Sequence, residues 1–450
     1  MKAINEKELR FSKKYLLYLI LPLFGEQFLS ILVGVIDSIM VASYSEAAIS
    51  GVSLIDSLYS LFFFLISAFT TGGAVVTSQY LGRGDKKRAK AASKALLYIS
   101  LFFGILIALL FLPIQGSLIS FIYGDLDIAV YDQSLIYFDY VFISIPFLCL
   151  FASGSALFRS VGNSKISLKI SILMNILNVV LNAVFIYGLK MGIKGAGIAT
   201  LVSRIVSGVL MFIFLITFDS EIKVENILKV NIDFSILKKI FSISIPNAIE
   251  NSVFQVGKIA VQSIVASLGV ASIAANVVVN NLCTFAILPG TAVSLASTTI
   301  IGQCLGAREK DQAKYYTSLL LKISLIAILS FCVVIFILLK PIISLYNLSA
   351  EATTLATNIS TIVLILTSIL WTFSFATPNI LRSAGDVKYT LVCSLISLIL
   401  CRILGAVIFT KVFDLGLYGV WFAMMVDWIC RSSCYITRLK GETWLNKKVI

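Results

Sequence analysis

The arrangement of residues from position 22 to 89 returns 224 positions later, from 246 to 313, with no insertion or deletion between the two copies. A second similarity follows later in each half, where the turn from Arg159 to Lys165 returns as Arg382 to Lys388. One offset held over this length predicts two copies of a unit of about 220 residues, an organisation that is typical of two-lobed transporters. Residues identical at this offset include Pro22 and Pro246, Glu26 and Glu250, Ala42 and Ala266, Gln79 and Gln303, and Gly82 and Gly306.

The chain is too apolar to fold as a soluble protein. Hydrophobic residues make up 59% of it, the mean hydropathy is +0.98, and the charged fraction of 13% is about half the usual value. Long apolar runs can cross the bilayer as helices, whereas open strands would leave backbone groups unpaired in lipid. We therefore predict an all-α polytopic membrane protein with twelve transmembrane helices in two pseudo-symmetric six-helix bundles. The predicted spans lie near 15–42, 53–77, 95–112, 134–158, 166–187, 196–218, 239–267, 276–301, 318–339, 358–380, 389–410 and 417–437.

The formal net charge of +13 is explained by topology. With a cytoplasmic N-terminus, the predicted outside loops carry only Lys190, Lys194, Lys340 and Lys411 of the 36 Lys and Arg residues. Because short cytoplasmic loops retain basic residues, this asymmetry predicts a multi-pass protein of the plasma (inner) membrane with both termini in the cytoplasm. Basic residues placed at the membrane face argue against a nucleic-acid partner.

The longest hydrophilic connector joins the two halves, from Asp219 to Lys238. It predicts an N-terminal six-helix lobe over 1–220, a cytoplasmic linker over 221–237 and a C-terminal six-helix lobe over 238–450. The sequence has no GxxxxGK[ST] phosphate loop, no His and no metal-ligand spacing of cysteines. We therefore expect a transporter driven by an ion gradient, without enzyme activity and without a cofactor.

Asp37 lies deep in the first predicted span, where a charged side chain costs at least about 2.5 kcal/mol and needs a partner or a function. Its counterpart in the second half is Val261, so an architectural role shared by both copies does not explain it. Asn178 and Asn182 lie on one face of the fifth span, and Thr200 comes early in the sixth. A carboxylate among these groups can exchange a proton or hold Na⁺, the only metal ion we expect. A permanent polar contact between helices is the alternative.

The duplicated prolines and glutamates lie in the first helix of each half. A proline inside a helix removes a hydrogen bond and bends the helix, so Pro22 and Pro246 fit either hinges for alternating access or static kinks. Glu26 and Glu250 follow one turn later, and their retention in both copies predicts an architectural role, the capping of backbone groups that the prolines free near the kink. A cation-binding role stays open for Glu250.

Three further ionisable residues of the second half are candidates for ion coupling or substrate contact together with Glu250. Lys258 lies eight residues after Glu250 on nearly the same helix face, which predicts a pair through water or a third group. Asp427 and Arg431 are four residues apart on the last span, a spacing that favours an intrahelical ion pair.

Several loose motifs recur at matching positions in the two halves. They include the paired Pro-Glu motifs, the turns Gln79–Gly82 and Gln303–Gly306, the Arg159 and Arg382 turns, and the segment Gly416–Trp421 before the last acidic residue. With them the chain resembles the multidrug and toxic compound extrusion (MATE) family of transporters over essentially its whole length. The resemblance implies a V-shaped pair of six-helix bundles around a central cavity. It also implies export of cationic or amphipathic organic compounds in exchange for H⁺ or Na⁺.

The resemblance further implies a coupling site made of an Asp in the first helix and polar residues of the fifth and sixth helices. That pattern maps onto Asp37, Asn178, Asn182 and Thr200. Asn182 stands where some members carry a second Asp, so the coupling ion stays open. We expect a monomer in the lipid bilayer that binds a small organic cation or amphiphile.

Two other functions compete with this interpretation. A lipid-linked oligosaccharide flippase of the same wider superfamily would need a larger, strongly basic cavity, whereas only Arg204, Lys258, Arg402 and Arg431 are basic residues deep within the predicted spans. A membrane enzyme acting on lipid precursors would need an acid or nucleophile cluster at a loop face. The outside acids at 125–132 are the only such group, and they are typical of a solvated loop.

Overall fold

The computed structural model describes residues 9–225, 227 and 233–450. In these residues the chain is helical and contains no strand. Its twelve long helices are α1 (Lys13–Ala42), α2 (Glu46–Gly82), α3 (Lys86–Tyr123), α4 (Ile128–Ser160), α5 (Ser164–Gly188), α6 (Gly192–Thr217), α7 (Phe234–Ala266), α8 (Val270–Gly306), α9 (Lys310–Ile337), α10 (Ala350–Ser383), α11 (Val387–Lys411) and α12 (Gly416–Lys440). A short helix, Leu339–Ser344, follows α9.

The helices have the length and composition of membrane spans. Among the described residues, ten of them are long and apolar enough to cross a membrane, namely α1 to α6 and α8 to α11. Helices α7 and α12 contain 33 and 25 residues, more than the about 20 that a bilayer requires, and each carries ionisable residues in its interior. The predicted all-α polytopic fold with twelve helices is confirmed.

Local sequence signals set several helix ends. The Ser45 hydroxyl accepts a hydrogen bond from the Ala48 amide at 3.0 Å at the start of α2, and Asp85 caps the start of α3. Such caps satisfy backbone amides that have no partner inside the helix. The duplicated Arg-Ser-x-Gly turns contain Gly162 and Gly385 at φ +80° and +87°, a left-handed conformation that favours glycine.

The chain divides into two compact units. The N unit comprises Leu17–Ala248, and the C unit comprises Ile249–Ile450 together with the described residues up to Leu16. In the C unit, Tyr316 holds the chain before α1, because its hydroxyl hydrogen bonds to both the amide and the carbonyl of Phe11 at 2.7 Å.

Helix α4 is the centre of the N unit, where it packs against α2, α3 and α6. Its residues Phe138, Val141 and Phe142 are fully buried in an apolar cluster of this unit. Helix α6 packs tightly against α4 at Gly208, where a Cβ atom would collide with the backbone of Phe147. A small residue is needed there because two helix backbones are in contact.

The C unit has a core of tryptophan and aliphatic side chains. Helix α8 packs against α9 and α10, and α11 packs against α12. Trp371, Trp421 and Trp428 are each 5% exposed and belong to the same buried cluster. This packing fixes α12, and with it the ionisable residues that α12 carries.

In the described part of the chain, three helices contain π-helical turns, at Ala183–Gly188 in α5, Thr372–Ala376 in α10 and Leu398–Leu404 in α11. Such turns are rare and occur frequently at functional sites. Asn182 directly precedes the turn in α5, and Arg402 lies inside the turn in α11. The irregular backbone therefore coincides with polar side chains in both units.

Candidate functional site

The four predicted coupling residues lie together in the N unit. The Asn182 amide nitrogen donates to Asp37 Oδ1 at 2.8 Å. The Asn178 amide is best assigned with its nitrogen towards Asp37, where it lies 2.9 Å from both carboxylate oxygens. In this orientation the Asn178 amide oxygen faces the Thr200 hydroxyl and lies 3.5 Å from Oγ1. Asp37 of α1 is thus bound by two amides from one face of α5.

This cluster also offers free oxygen atoms. Asn182 is 2% exposed, and its Oδ1 atom is buried without a hydrogen-bond partner among the described residues. Asp37 itself is half-buried, so its carboxylate remains reachable. A carboxylate and an amide oxygen are ligands that a hard cation such as Na⁺ uses, and the carboxylate alone can accept a proton.

Two charged residues near Asp37 were not predicted to belong to this site. Asp56 of α2 and Arg204 of α6 are close enough to Asp37 to interact with it electrostatically. Arg204 Nη1 donates to Ser144 Oγ at 2.8 Å, and the guanidinium lies 4.6 Å from the centroid of the Tyr59 ring. In the sequence, each of these two residues is visible only as a charge at membrane depth. Spacing along the chain does not show that α1, α2 and α6 lie beside one another.

The duplicated glutamates each face the arginine of the duplicated turn in their own unit. Glu250 Oε1 lies 2.7 Å from Arg382 Nη2, and both side chains are buried. Glu26 Oε1 lies 3.8 Å from Arg159 Nη1. In each unit the first helix is therefore tied to the end of the fourth helix of that half by a buried ion pair.

Serines of the following helices complete these contacts. The Ser167 hydroxyl donates to Glu26 at 2.8 Å, and the Ser394 hydroxyl donates to Glu250 at 2.6 Å. The carboxylates thus bind side chains of other helices, which corrects the expectation that they satisfy backbone groups freed by the nearby prolines. Among the described residues no direct hydrogen bond joins Glu250 to Lys258, and Arg382 is the charged partner of the carboxylate. A contact of Glu250 with Lys258 through water or a third group stays a prediction.

The predicted pair of Asp427 and Arg431 is confirmed. Asp427 is fully buried, and Arg431 Nε donates to its Oδ1 atom at 2.8 Å. The Ser397 hydroxyl donates to the same oxygen at 2.5 Å, and Arg402 Nη1 lies 3.7 Å from Oδ2. Arg402 was not predicted as a partner of Asp427, because it comes from another helix.

The predicted hinge residues occupy helix interiors. Pro22 lies inside α1, and Pro246 lies inside α7. Each removes a backbone hydrogen bond at that point of its helix. Their role as hinges stays a prediction.

Comparisons with known proteins agree with this architecture. A family model described as MatE matches residues 22–184 and 246–408, once in each half, which confirms the internal duplication. The probable multidrug resistance protein NorM of Thermotoga maritima is 25% identical over 443 residues, 97% of this chain and 94% of that protein. The uncharacterized transporter YisQ of Bacillus subtilis is 25% identical over 433 residues, 95% of this chain and 94% of that protein.

Solved structures share the fold. One, described as the outward-facing conformation of a multidrug resistance MATE family transporter of the MOP superfamily, is similar over 97% of both chains. Its TM-score is 0.89 and its sequence identity is 20%.

Proposed function

Because the chain belongs to the MatE family of multidrug and toxic compound extrusion transporters, we propose that it exports small organic cations or amphiphiles in exchange for H⁺ or Na⁺. The observation that carries the exchange is the cluster of Asp37, Asn178 and Asn182. It joins a reachable carboxylate of α1 to two amides of α5 at 2.8 and 2.9 Å.

The charge of this site suits one monovalent cation. With both acids ionised, Asp37, Asp56 and Arg204 carry a net charge of −1. Uncompensated charge at membrane depth is unfavourable, so binding of one H⁺ or Na⁺ stabilises the site by neutralising it. The relatives named as multidrug resistance proteins support organic compounds as the cargo.

Ion binding changes what holds α1. An ionised Asp37 accepts charge-assisted hydrogen bonds from Asn178 and Asn182, which are about twice as strong as bonds between neutral groups. Protonation or Na⁺ binding at Asp37 weakens these bonds and releases α1 from α5. Pro22, fifteen residues earlier in α1, supplies a point at which the released helix bends. Bending of α1 then releases the cargo outward, which couples the ion to export.

The remaining features of this proposal concern topology and assembly. The lobes over 1–220 and 238–450, the cytoplasmic linker over 221–237 and the cytoplasmic location of both termini follow from the distribution of basic residues. We place the protein in the plasma (inner) membrane as a monomer. We propose no enzyme activity, because its relatives are named as a transporter and as multidrug resistance proteins.

Transport in liposomes tests the proposal. Purified protein is reconstituted, and uptake of a fluorescent quaternary ammonium dye is followed with a pH gradient and a Na⁺ gradient imposed separately. We expect one gradient to drive uptake by the wild type and Asp37→Asn to abolish it. Asp125→Asn, which changes an exposed acid of the α3–α4 loop, is the matched control and retains uptake. Gradient-driven uptake by the Asp37→Asn protein would overturn the assignment.

A further inference from the structure

A second polar cavity lies in the C unit and takes no part in the site at Asp37. Its volume is about 310 Å³, and it is lined by residues of α7, α8, α11 and α12. Sites for small organic ligands have volumes of about 300–1,000 Å³. The polar lining residues are Lys258, Gln262, Asn276, Asn280 and Arg402.

The charged groups at this cavity do not balance. Asp427 is shared by Arg431 at 2.8 Å and Arg402 at 3.7 Å. Lys258 has no carboxylate within ion-pair distance in the described part of the chain. With Lys258 protonated, Asp427, Arg402, Arg431 and Lys258 sum to a net charge of +2. Glu250, the acid on the same helix as Lys258, is held by its own arginine.

An aromatic ring lies beside all three cations. The Phe254 centroid is 5.1 Å from Arg402 Cζ, 5.2 Å from Arg431 Cζ and 5.4 Å from Lys258 Nζ. The face of an aromatic ring attracts cations, but it carries no net charge. Phe254 therefore groups the cations without neutralising them, and Lys258 and Arg402 remain close enough to repel each other.

The cavity also presents unused hydrogen-bond donors. Arg402 lines the cavity and is 9% exposed, and its buried Nη1 atom lies 3.7 Å from Asp427 Oδ2, so Arg402 contributes positive charge to the cavity. Trp421 Nε1 donates to the Asn276 amide oxygen at 3.1 Å, and the Asn276 nitrogen donates to Gln262 Oε1 at 3.2 Å. This chain of bonds occupies the Gln262 oxygen and leaves its nitrogen as a donor. A group that accepts hydrogen bonds and carries negative charge fits these donors.

We propose that this cavity binds an oxyanion of the cargo, and that the preferred cargo is a zwitterionic or anionic amphiphile with a carboxylate group. The inference rests on the proposed export function, whose substrate class it narrows. The carboxylate is bound by Lys258 and by the Gln262 amide, and the positive charge of Arg402 in the cavity wall attracts it. Val261, Val420 and Met424 line the same cavity and contact the apolar part of the cargo. A simple organic cation lacks the group that Lys258 and the Gln262 amide bind, so we expect it to be a weaker cargo than a zwitterion.

Binding of a matched pair of ligands tests this inference. Nα-dansyl-lysine carries an ammonium group and a free carboxylate, whereas its methyl ester keeps the ammonium group and the fluorophore but lacks the carboxylate. Affinities for purified protein in an uncharged detergent are measured by dansyl fluorescence. We expect the wild type to bind the carboxylate form more tightly than the ester.

The variants isolate the role of Lys258. We expect Lys258→Gln to weaken binding of the carboxylate form by about 10- to 100-fold, the usual effect of losing a hydrogen bond between charged groups. Lys258→Arg keeps the charge and restores most of the affinity. Lys322→Gln, which removes an exposed lysine of α9 outside the cavity, is the control and binds like the wild type. The Lys258→Gln change should leave binding of the ester unchanged or improved.

Each outcome decides the question. Equal affinity of the wild type for the carboxylate form and the ester, or a Lys258→Gln protein with wild-type affinity for the carboxylate form, overturns the inference. A lipid phosphate is also an oxyanion, so a further arm adds phosphatidylglycerol. If this lipid displaces the carboxylate form in a manner that depends on Lys258, the site takes lipid headgroups and the cargo assignment is wrong. Binding that is unaffected by the lipid supports the cargo assignment.

The failure of this inference is distinguishable from the failure of the proposed function. Gradient-driven uptake that depends on Asp37 supports the exchange mechanism, whichever form of the ligand binds more tightly. A preference for the carboxylate without gradient-driven uptake supports the anion site and contradicts the exchange mechanism.

Discussion

The buried pair of Glu250 and Arg382 allows a quantitative prediction of stability. Their side chains are 8% and 11% exposed, and the two charged atoms are 2.7 Å apart. Glu250→Gln leaves the Arg382 guanidinium buried without a carboxylate. Removing one partner of a buried ion pair costs about 3–5 kcal/mol. For a unit of about 200 residues this corresponds to a fall in Tm of about 6–20 °C.

The equivalent pair in the N unit supplies an internal comparison. Glu26 and Arg159 are 3.8 Å apart, beyond hydrogen-bond distance, and the Ser167 hydroxyl is the direct donor to Glu26. A glutamine at position 26 retains an oxygen that accepts this bond. We therefore expect Glu26→Gln to cost about 1–2 kcal/mol, less than Glu250→Gln.

Thermal unfolding of the purified protein in detergent, followed by intrinsic tryptophan fluorescence, measures these effects. The set comprises the wild type, Glu250→Gln, Arg382→Met and the double variant. Each single variant leaves one buried group without its partner, whereas the double variant leaves no unpaired charge. We expect the double variant to recover most of the lost stability. If its loss equals the sum of the two single losses, the two residues are not coupled and the reasoning is refuted.

Three further predictions concern other contacts. Asp427→Asn leaves its arginine partners without a carboxylate and should lower the free energy of unfolding by about 3–5 kcal/mol in the same assay; wild-type stability would contradict this. Gly208→Ala places a Cβ against the backbone of Phe147 and should cost about 1–3 kcal/mol, and an unchanged Tm would contradict it. The hydrogen bond from Lys90 lowers the pKa of Glu225, so their ion pair should persist at neutral pH and be lost as the pH falls through that lowered pKa. A ¹³C NMR titration of the Glu225 carboxyl measures this, and an ordinary Glu pKa would contradict it.

The helical fold could be predicted because its signals are local or duplicated. Apolar runs long enough to cross a bilayer exclude most other folds, and the offset between Glu26 and Glu250 revealed the two halves. The pair of Asp427 and Arg431 was predictable for the same reason, since residues four apart on one helix are neighbours whatever surrounds them. The lobe boundaries stay predictions.

Partners on different helices could not be predicted in the same way. The direct partner of Glu250 is Arg382, which comes from α10 and was not predicted. Asp56 and Arg204 were not expected beside Asp37. Such contacts depend on the rotation and depth of each helix, which a single sequence does not specify.

The π-helical turns were also missed, because the apolar pattern of α5 and α11 continues through them. The extra residue in a π turn changes which side chains face a neighbouring helix after it. Arg402 lies inside such a turn, and its approach to Asp427 was therefore not visible in the spacing of residues.

In the proposed exchange, the coupling ion at Asp37 and the organic cargo exclude each other. Measurement of ion release on cargo binding tests this exclusion. The quaternary ammonium dye is added to purified protein in weakly buffered detergent solution, and released H⁺ or Na⁺ is measured at equilibrium. The account predicts release of about one ion per protein by the wild type, since one cation neutralises the net charge of this site, and none by Asp37→Asn. Equal release by both proteins, or none by a wild type that binds the dye, would contradict it.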